Sequence, residues 1–98
     1  MSEYRLRALQ YHAAIRTILL EEWDPIGVSL IPEAQDEYDS YVGGVHRLLI
    51  THVDRAALFL HLWQIETEHM GLAGSRQHTE AIVDRLLSLR DAMESGRG

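Results

Sequence analysis

Apolar residues recur every three or four positions along most of this chain, the spacing of helices that pack through one face. Tyr4, Ala8, Tyr11, Ile15, Ile18, Leu19 and Glu22 follow those steps, giving one apolar stripe with a polar edge. No glycine or proline interrupts before Pro25, and Glu3 and Arg7, at i and i+4, support the first turn. The pattern predicts a helix over 3–23. Pro25 disfavours a helical Asp24 and blocks the next turn, and Gly27 and Pro32 follow around the apolar run 28–31. Residues 24–35 read as a loop of about twelve residues, a length at which loops are often functional.

The next stripe has no misses. Tyr38, Tyr41, Val42, Val45, Leu48 and Leu49 fall at i, i+3, i+4, i+7, i+10 and i+11, predicting a helix over 37–50. Asp36 or Asp39 is expected to cap it. Gly43 and Gly44 lie inside it at a cost of roughly 0.8–1 kcal/mol each, which close backbone approach by another helix would explain. A third helix, 54–70, is capped by Thr51 or Asp54 and ends at Gly71. Ala57, Leu58, Leu60, Leu62, Trp63 and Ile65 make it apolar on most sides, so it is expected to be the most buried. Gly74 and Ser75 open a fourth helix. Its stripe is Ile82, Leu86, Leu89 and Met93, widened by Val83 and Leu87, and Arg85 and Arg90 face out. No segment alternates with the period of a strand. The expectation is an all-α, compact four-helix bundle forming a single helical domain over 1–94, with 95–98 a disordered tail.

Composition agrees with one globular domain: 98 residues, 46% hydrophobic and 24% charged. The chain has no cysteine, which excludes disulfides, thiolate zinc sites and thiol nucleophiles and fits a reducing cytoplasm. No apolar run approaches the roughly 18 residues of a membrane span, and MSEYRLRALQ has no apolar signal region. A cytoplasmic location is therefore expected. Net charge is −6, and its distribution matters more than its sum. Seven acids and no base lie between Thr17 and His46: Glu21, Glu22, Asp24, Glu33, Asp36, Glu37 and Asp39. The remainder carries eight acids and nine arginines, so it is nearly neutral. That sign disfavours nucleic acid and anionic membranes as partners and allows a basic protein or a cation.

Few motifs carry chemistry. Glu66-x-x-His69 has the i, i+3 spacing of a di-iron helix, but no second copy exists. Asp36-Glu37-Tyr38-Asp39 lacks the glycine and terminal glutamate of a calcium loop. Neither a metal site nor a cofactor is expected. No serine sits in a nucleophile elbow and no glycine-rich phosphate loop occurs. Glu21 with Asp24 could do acid–base work, but adjacent acids at a helix end are usually solvated. Six histidines invite a pH-sensing role, and partly buried His61 more simply reads as a satisfied core group. The expectation is a protein that is not an enzyme.

The run LLEEWDPIGV, followed by DEYDSYV, resembles a small bacterial helical family of unknown function, the YugE-like proteins. Members carry an EWDPIGV-like segment after a first helix and a DEYD segment opening the second. Ile65-Glu66-Thr67-Glu68-His69-Met70-Gly71-Leu72 is similar to their IExEMGL-like segment, so the resemblance spans most of 15–75. Pro-Gly is usual in the family where this chain has Gly43-Gly44. The resemblance implies a four-helix domain. Some relatives look like small proteins associated with bacterial toxin systems, which would imply an immunity role.

Two readings of the matching residues stand side by side. In one they are architectural: Trp23 plugs the bundle end, Pro25 and Gly27 shape the turn, Asp24 or Asp36 caps backbone N–H groups, and Tyr38 and Tyr41 pack. In the other Glu21, Glu22, Asp24, Asp36, Glu37 and Asp39 form an open acidic patch. Trp23, Tyr38 and Tyr41 are then its aromatic anchors for a basic partner such as a toxin. The runner-up role is a non-catalytic structural or regulatory homodimer, formed through Phe59 or Leu60 on the third helix.

Overall fold

A computed structural model describes residues 3–95, with side chains from residue 5 onward. The expected tail, 95–98, lies outside the described residues except for Ser95, whose N–H meets Asp91 O at the end of the last helix. Four helices and no strand occur among the described residues. Helix α1 is α-helical over Glu3–Thr17 and continues as a π-helical segment, Ile18–Trp23. Helix α2 spans Asp39–Ile50. Helix α3 spans Arg55–Gln64 and continues as a second π segment, Ile65–His69. Helix α4 spans Arg76–Glu94. None is long and apolar enough to cross a membrane.

The hydrophobic spacing has become packing. Tyr11, Ile15, Ile18, Leu19, Leu20 and Trp23 of α1 are buried with Val42, Val45 and Leu49 of α2. Leu58, Leu62 and Ile65 of α3 and Ile82, Val83 and Leu86 of α4 complete the core. Each fully buried aliphatic side chain contributes roughly 1.5–3 kcal/mol. Helix α4 packs against all three others, and α1 buries the longest run of side chains. The expectation that α3 would be the central helix is corrected here. Its Leu60 is half exposed, and Phe59 is only partly buried, stacked on Trp63 and covered by the Arg76 guanidinium 5.0 Å from its ring.

Helix ends follow partly predicted chemistry. Asp54 caps α3 by accepting from Ala57 N at 2.8 Å, and Ser75 caps α4 by accepting from His78 N at 3.4 Å. Neither Asp36 nor Asp39 caps α2: its N-cap is Tyr38 and receives no side-chain hydrogen bond. Gly71 ends the third helical segment with φ +68°. Gly43 has open space where a Cβ would stand, and Gly44 faces the His61 ring at 3.5 Å, so no helix backbone approaches the pair. Arg85 faces out, whereas Arg90 is largely covered, with its Nε sealed from solvent.

Candidate functional site

Both π segments end at the same end of the bundle. In each, the wide turn is closed by a hydrogen bond five residues back: Asp24 N to Leu19 O at 2.9 Å and Met70 N to Ile65 O at 2.9 Å. These turns bring Trp23 against Glu66. The Trp23 indole Nε1–H donates to Glu66 Oε1 at 2.6 Å, and the Thr79 hydroxyl donates to the same oxygen at 2.5 Å. Glu66 is 3% exposed and Thr79 is fully buried, so this polar cluster lies inside the core. His78 Nε2 meets Trp23 O at 3.0 Å, which joins α4 to the end of α1.

The loop after Trp23 is pinned through Asp24. Its backbone is left-handed, with φ 33° and ψ 60°, a conformation aspartate tolerates better than most residues. Its Oδ1 accepts from Val28 N at 2.8 Å and from the Tyr38 hydroxyl at 2.7 Å, and its Oδ2 accepts from Ser29 N at 3.0 Å. Burial alone would raise the Asp24 carboxyl, but these hydrogen bonds outweigh it and hold the group below the usual aspartate range. Tyr38 Oη also accepts from Ile26 N at 3.1 Å. Burial, followed by the Asp24 bond, pushes the Tyr38 phenol well above its ordinary value. Further along, Gln35 Nε2 donates to Ser29 O and Ile31 O, both at 3.0 Å. Arg16 donates to Asp39 Oδ1 at 2.6 Å and to Gln35 O at 3.0 Å. The stretch expected to be a plain loop contains a 3₁₀ turn, Pro32–Ala34, and is tied down at both ends.

The predicted binding residues therefore divide. Trp23 and Tyr38 are 1% and 2% exposed, which corrects their expected role as surface anchors: the indole is bound to Glu66 and the phenol to Asp24. Asp24 is part of the same internal network, a correction to its place in an open patch. Tyr41 is half-buried, its ring edge-on to Trp23 at 6.4 Å. Glu22 is paired in two hydrogen bonds to Arg85, at 2.8 and 3.0 Å, which hold its carboxyl below the usual value. Asp39 is exposed but paired with Arg16. Glu21, Asp36 and Glu37 are exposed without an ion pair among the described residues, and so is Glu33. The same stretch of chain, 21–37, also exposes apolar groups. Leu30 is 93% exposed, and Ile26 and Ile31 are well exposed too.

Sequence reasoning missed Thr79 and His78, and weighed Glu66 only as half of a Glu-x-x-His pair rather than as a buried acceptor. Leu58, Leu62, Ile65 and Glu66 lie at i, i+4, i+7 and i+8, so Glu66 occupies a core position of its helix. Thr79 does the same on α4, three and four residues before Ile82 and Val83. A carboxylate and a hydroxyl on two facing apolar stripes were the available signal. His69, read with Glu66 as a ligand pair, is exposed while Glu66 is buried, and the two part company. Among the described residues no group of three or more His, Asp or Glu side chains is placed to hold a metal ion. No protein-family model, curated protein or solved structure matches the chain.

Proposed function

We propose that this chain is a cytoplasmic protein-interaction module that binds a basic protein partner through the surface formed by Ile26, Leu30, Ile31, Glu33, Asp36 and Glu37, with Glu21 on the adjoining helix end. The observation that carries this reading is Leu30. A leucine so exposed on a mobile tip would be unremarkable, but this one sits on a segment held by Asp24, Gln35 and Arg16. An exposed leucine on a held backbone, in a stretch of chain rich in unpaired carboxylates, is suited to a partner with an apolar pocket and a cationic rim. The likeness of LLEEWDPIGV and DEYDSYV to YugE-like sequences supports an immunity-like role, in which a basic toxin is occluded by acids that pair with its own substrate-binding cations. Catalysis by the chain itself forms no part of this reading.

The test begins with affinity capture from lysate at low and high salt, followed by stopped-flow association with the captured protein. Reversing Asp36 and Glu37 to lysine slows association several-fold and flattens its salt dependence, while Leu30→Asp speeds dissociation. Association indifferent to the charge reversal would overturn the reading. The homodimer is favoured by the half-exposed Leu60 on α3, and by Leu6 and Leu9 one turn apart on α1. Sedimentation of the wild type against Leu60→Glu decides it: a dimer dispersed by that substitution moves the weight to self-association.

A further inference from the structure

Of the two oxygens of the Glu66 carboxylate, one is used twice and the other is left over. Oε1 accepts from both Trp23 and Thr79, and Oε2 makes no hydrogen bond among the described residues. The buried polar atoms that are both unpartnered and sealed are Tyr11 Oη and Arg90 Nε, so Oε2 is not closed in. It opens on a cavity of about 240 Å³ that Glu66 lines together with Trp23, Asp24, Pro25, Leu72 and His78. A buried carboxylate with a free acceptor in the wall of a half-open cavity suits a donor, and a charged one in preference.

The surroundings narrow the donor. Trp23, Pro25 and Leu72 supply apolar walls for an alkyl stem. Of the helix ends, Trp23 at the close of α1 and Ser75 at the start of α4 both line the cavity and offset one another, so the acidic residues Glu66 and Asp24 in its wall set the preference for a cation. Because Oε1 is already occupied, Glu66 cannot take a guanidinium through both oxygens. A single free oxygen suits the point charge of an ammonium.

We propose that this cavity receives one lysine side chain of the basic partner, its ammonium donating to Glu66 Oε2. The inference rests on the reading of a basic partner given above and names the contact that would anchor it. It is tested without the partner. Nα-acetyl-lysine methylamide is titrated into the full chain while the Trp23 indole N–H resonance is followed by NMR, beside the Leu72 and Gly74 amides. The norleucine analogue has the same stem without the charge, and the arginine analogue carries the planar cation. The lysine compound shifts these resonances and binds at least tenfold more tightly than either analogue. Glu66→Gln keeps an acceptor for Trp23 and Thr79 but turns an amide donor to the cavity, and it removes the preference for lysine. Equal binding of norleucine, equal or tighter binding of arginine, shifts that persist in Glu66→Gln, or no shift at Trp23 would each overturn the proposal. Should Glu66→Gln fail to fold, the three compounds on the wild-type chain decide it. The reversal of Asp36 and Glu37 tests the loop surface separately, so either idea can fail alone.

Discussion

Asp24 offers the sharpest test of how the candidate surface is held. One carboxylate accepts from Val28 N, Ser29 N and the Tyr38 hydroxyl, on a left-handed residue at the exit of α1. Hydrogen bonds to a charged acceptor are worth about 1.5–3 kcal/mol when fully buried, and Asp24 is only partly buried, so about 1 kcal/mol each is the appropriate scale. Asp24→Ala removes all three, for a total of about 3 kcal/mol, the left-handed strain on the Cβ being common to both residues. Asp24→Asn tolerates the backbone but turns an amide donor against one of the N–H groups, for about 1.5–2 kcal/mol. Urea unfolding at pH 7 measures both. The carboxyl titrates below its ordinary 3.8 in the folded chain, so unfolding in acid takes up a proton. Its contribution is complete above about pH 5 and is lost as pH falls through the folded value, and the deficit of the asparagine variant shrinks with it. A deficit under about 0.5 kcal/mol at pH 7, or one equal at pH 7 and pH 3, would refute the account.

Thr79→Val keeps the shape of a fully buried side chain and removes one of the two donors to Glu66; urea midpoints should fall by about 1–3 kcal/mol equivalent. Gly74→Ala meets both a φ of +80° and the Trp63 ring 2.9 Å from the added methyl, so a loss of about 2–3 kcal/mol in thermal unfolding is expected. By contrast, Gly43→Ala enters open space on a helix and should stabilise by about 0.5–1 kcal/mol in the same assay. Tyr11→Phe removes a sealed hydroxyl that has no partner, whose phenol burial and Glu94 push up to about 12; the urea midpoint should hold or rise.

The helices were legible because their stripes are long and uninterrupted. Ile15, Ile18 and Leu19 or Val42, Val45 and Leu49 can satisfy their spacing only by facing one core. What the pattern did not carry was the burial of polar groups. Trp23 and Tyr38 look like anchors beside a run of acids, yet each has a polar handle with an internal acceptor, Glu66 forty-three residues later and Asp24 fourteen residues earlier. Such pairings depend on how elements meet, which periodicity along one element does not encode. The acidic run misled in the same way. Its seven carboxylates look alike in sequence, but Arg16, Arg85 and the backbone of 28–29 take up three of them. The order of burial among helices was missed because an apolar circumference like that of α3 says only that several sides can be covered. Arg76, folded over Phe59, covers one of them with a charged side chain.

The wide turns that close α1 and α3 make residue count, as much as residue identity, a property this chain has to conserve. A π turn carries one residue more than the α turn it replaces, and each of the two sits immediately before, or around, a member of the Trp23–Glu66 pair. Losing one residue from 18–23 would let the helix relax to its commoner form and swing everything after it by about 100° around the axis. Where the lost residue is one of 18–22, the indole would then leave its acceptor with Trp23 and Glu66 both still present. Deletions here are not the mild lesions they are in loops. The tolerance of this end of the bundle to changes in length should be close to nil, even where its tolerance to changes in side chain is wide.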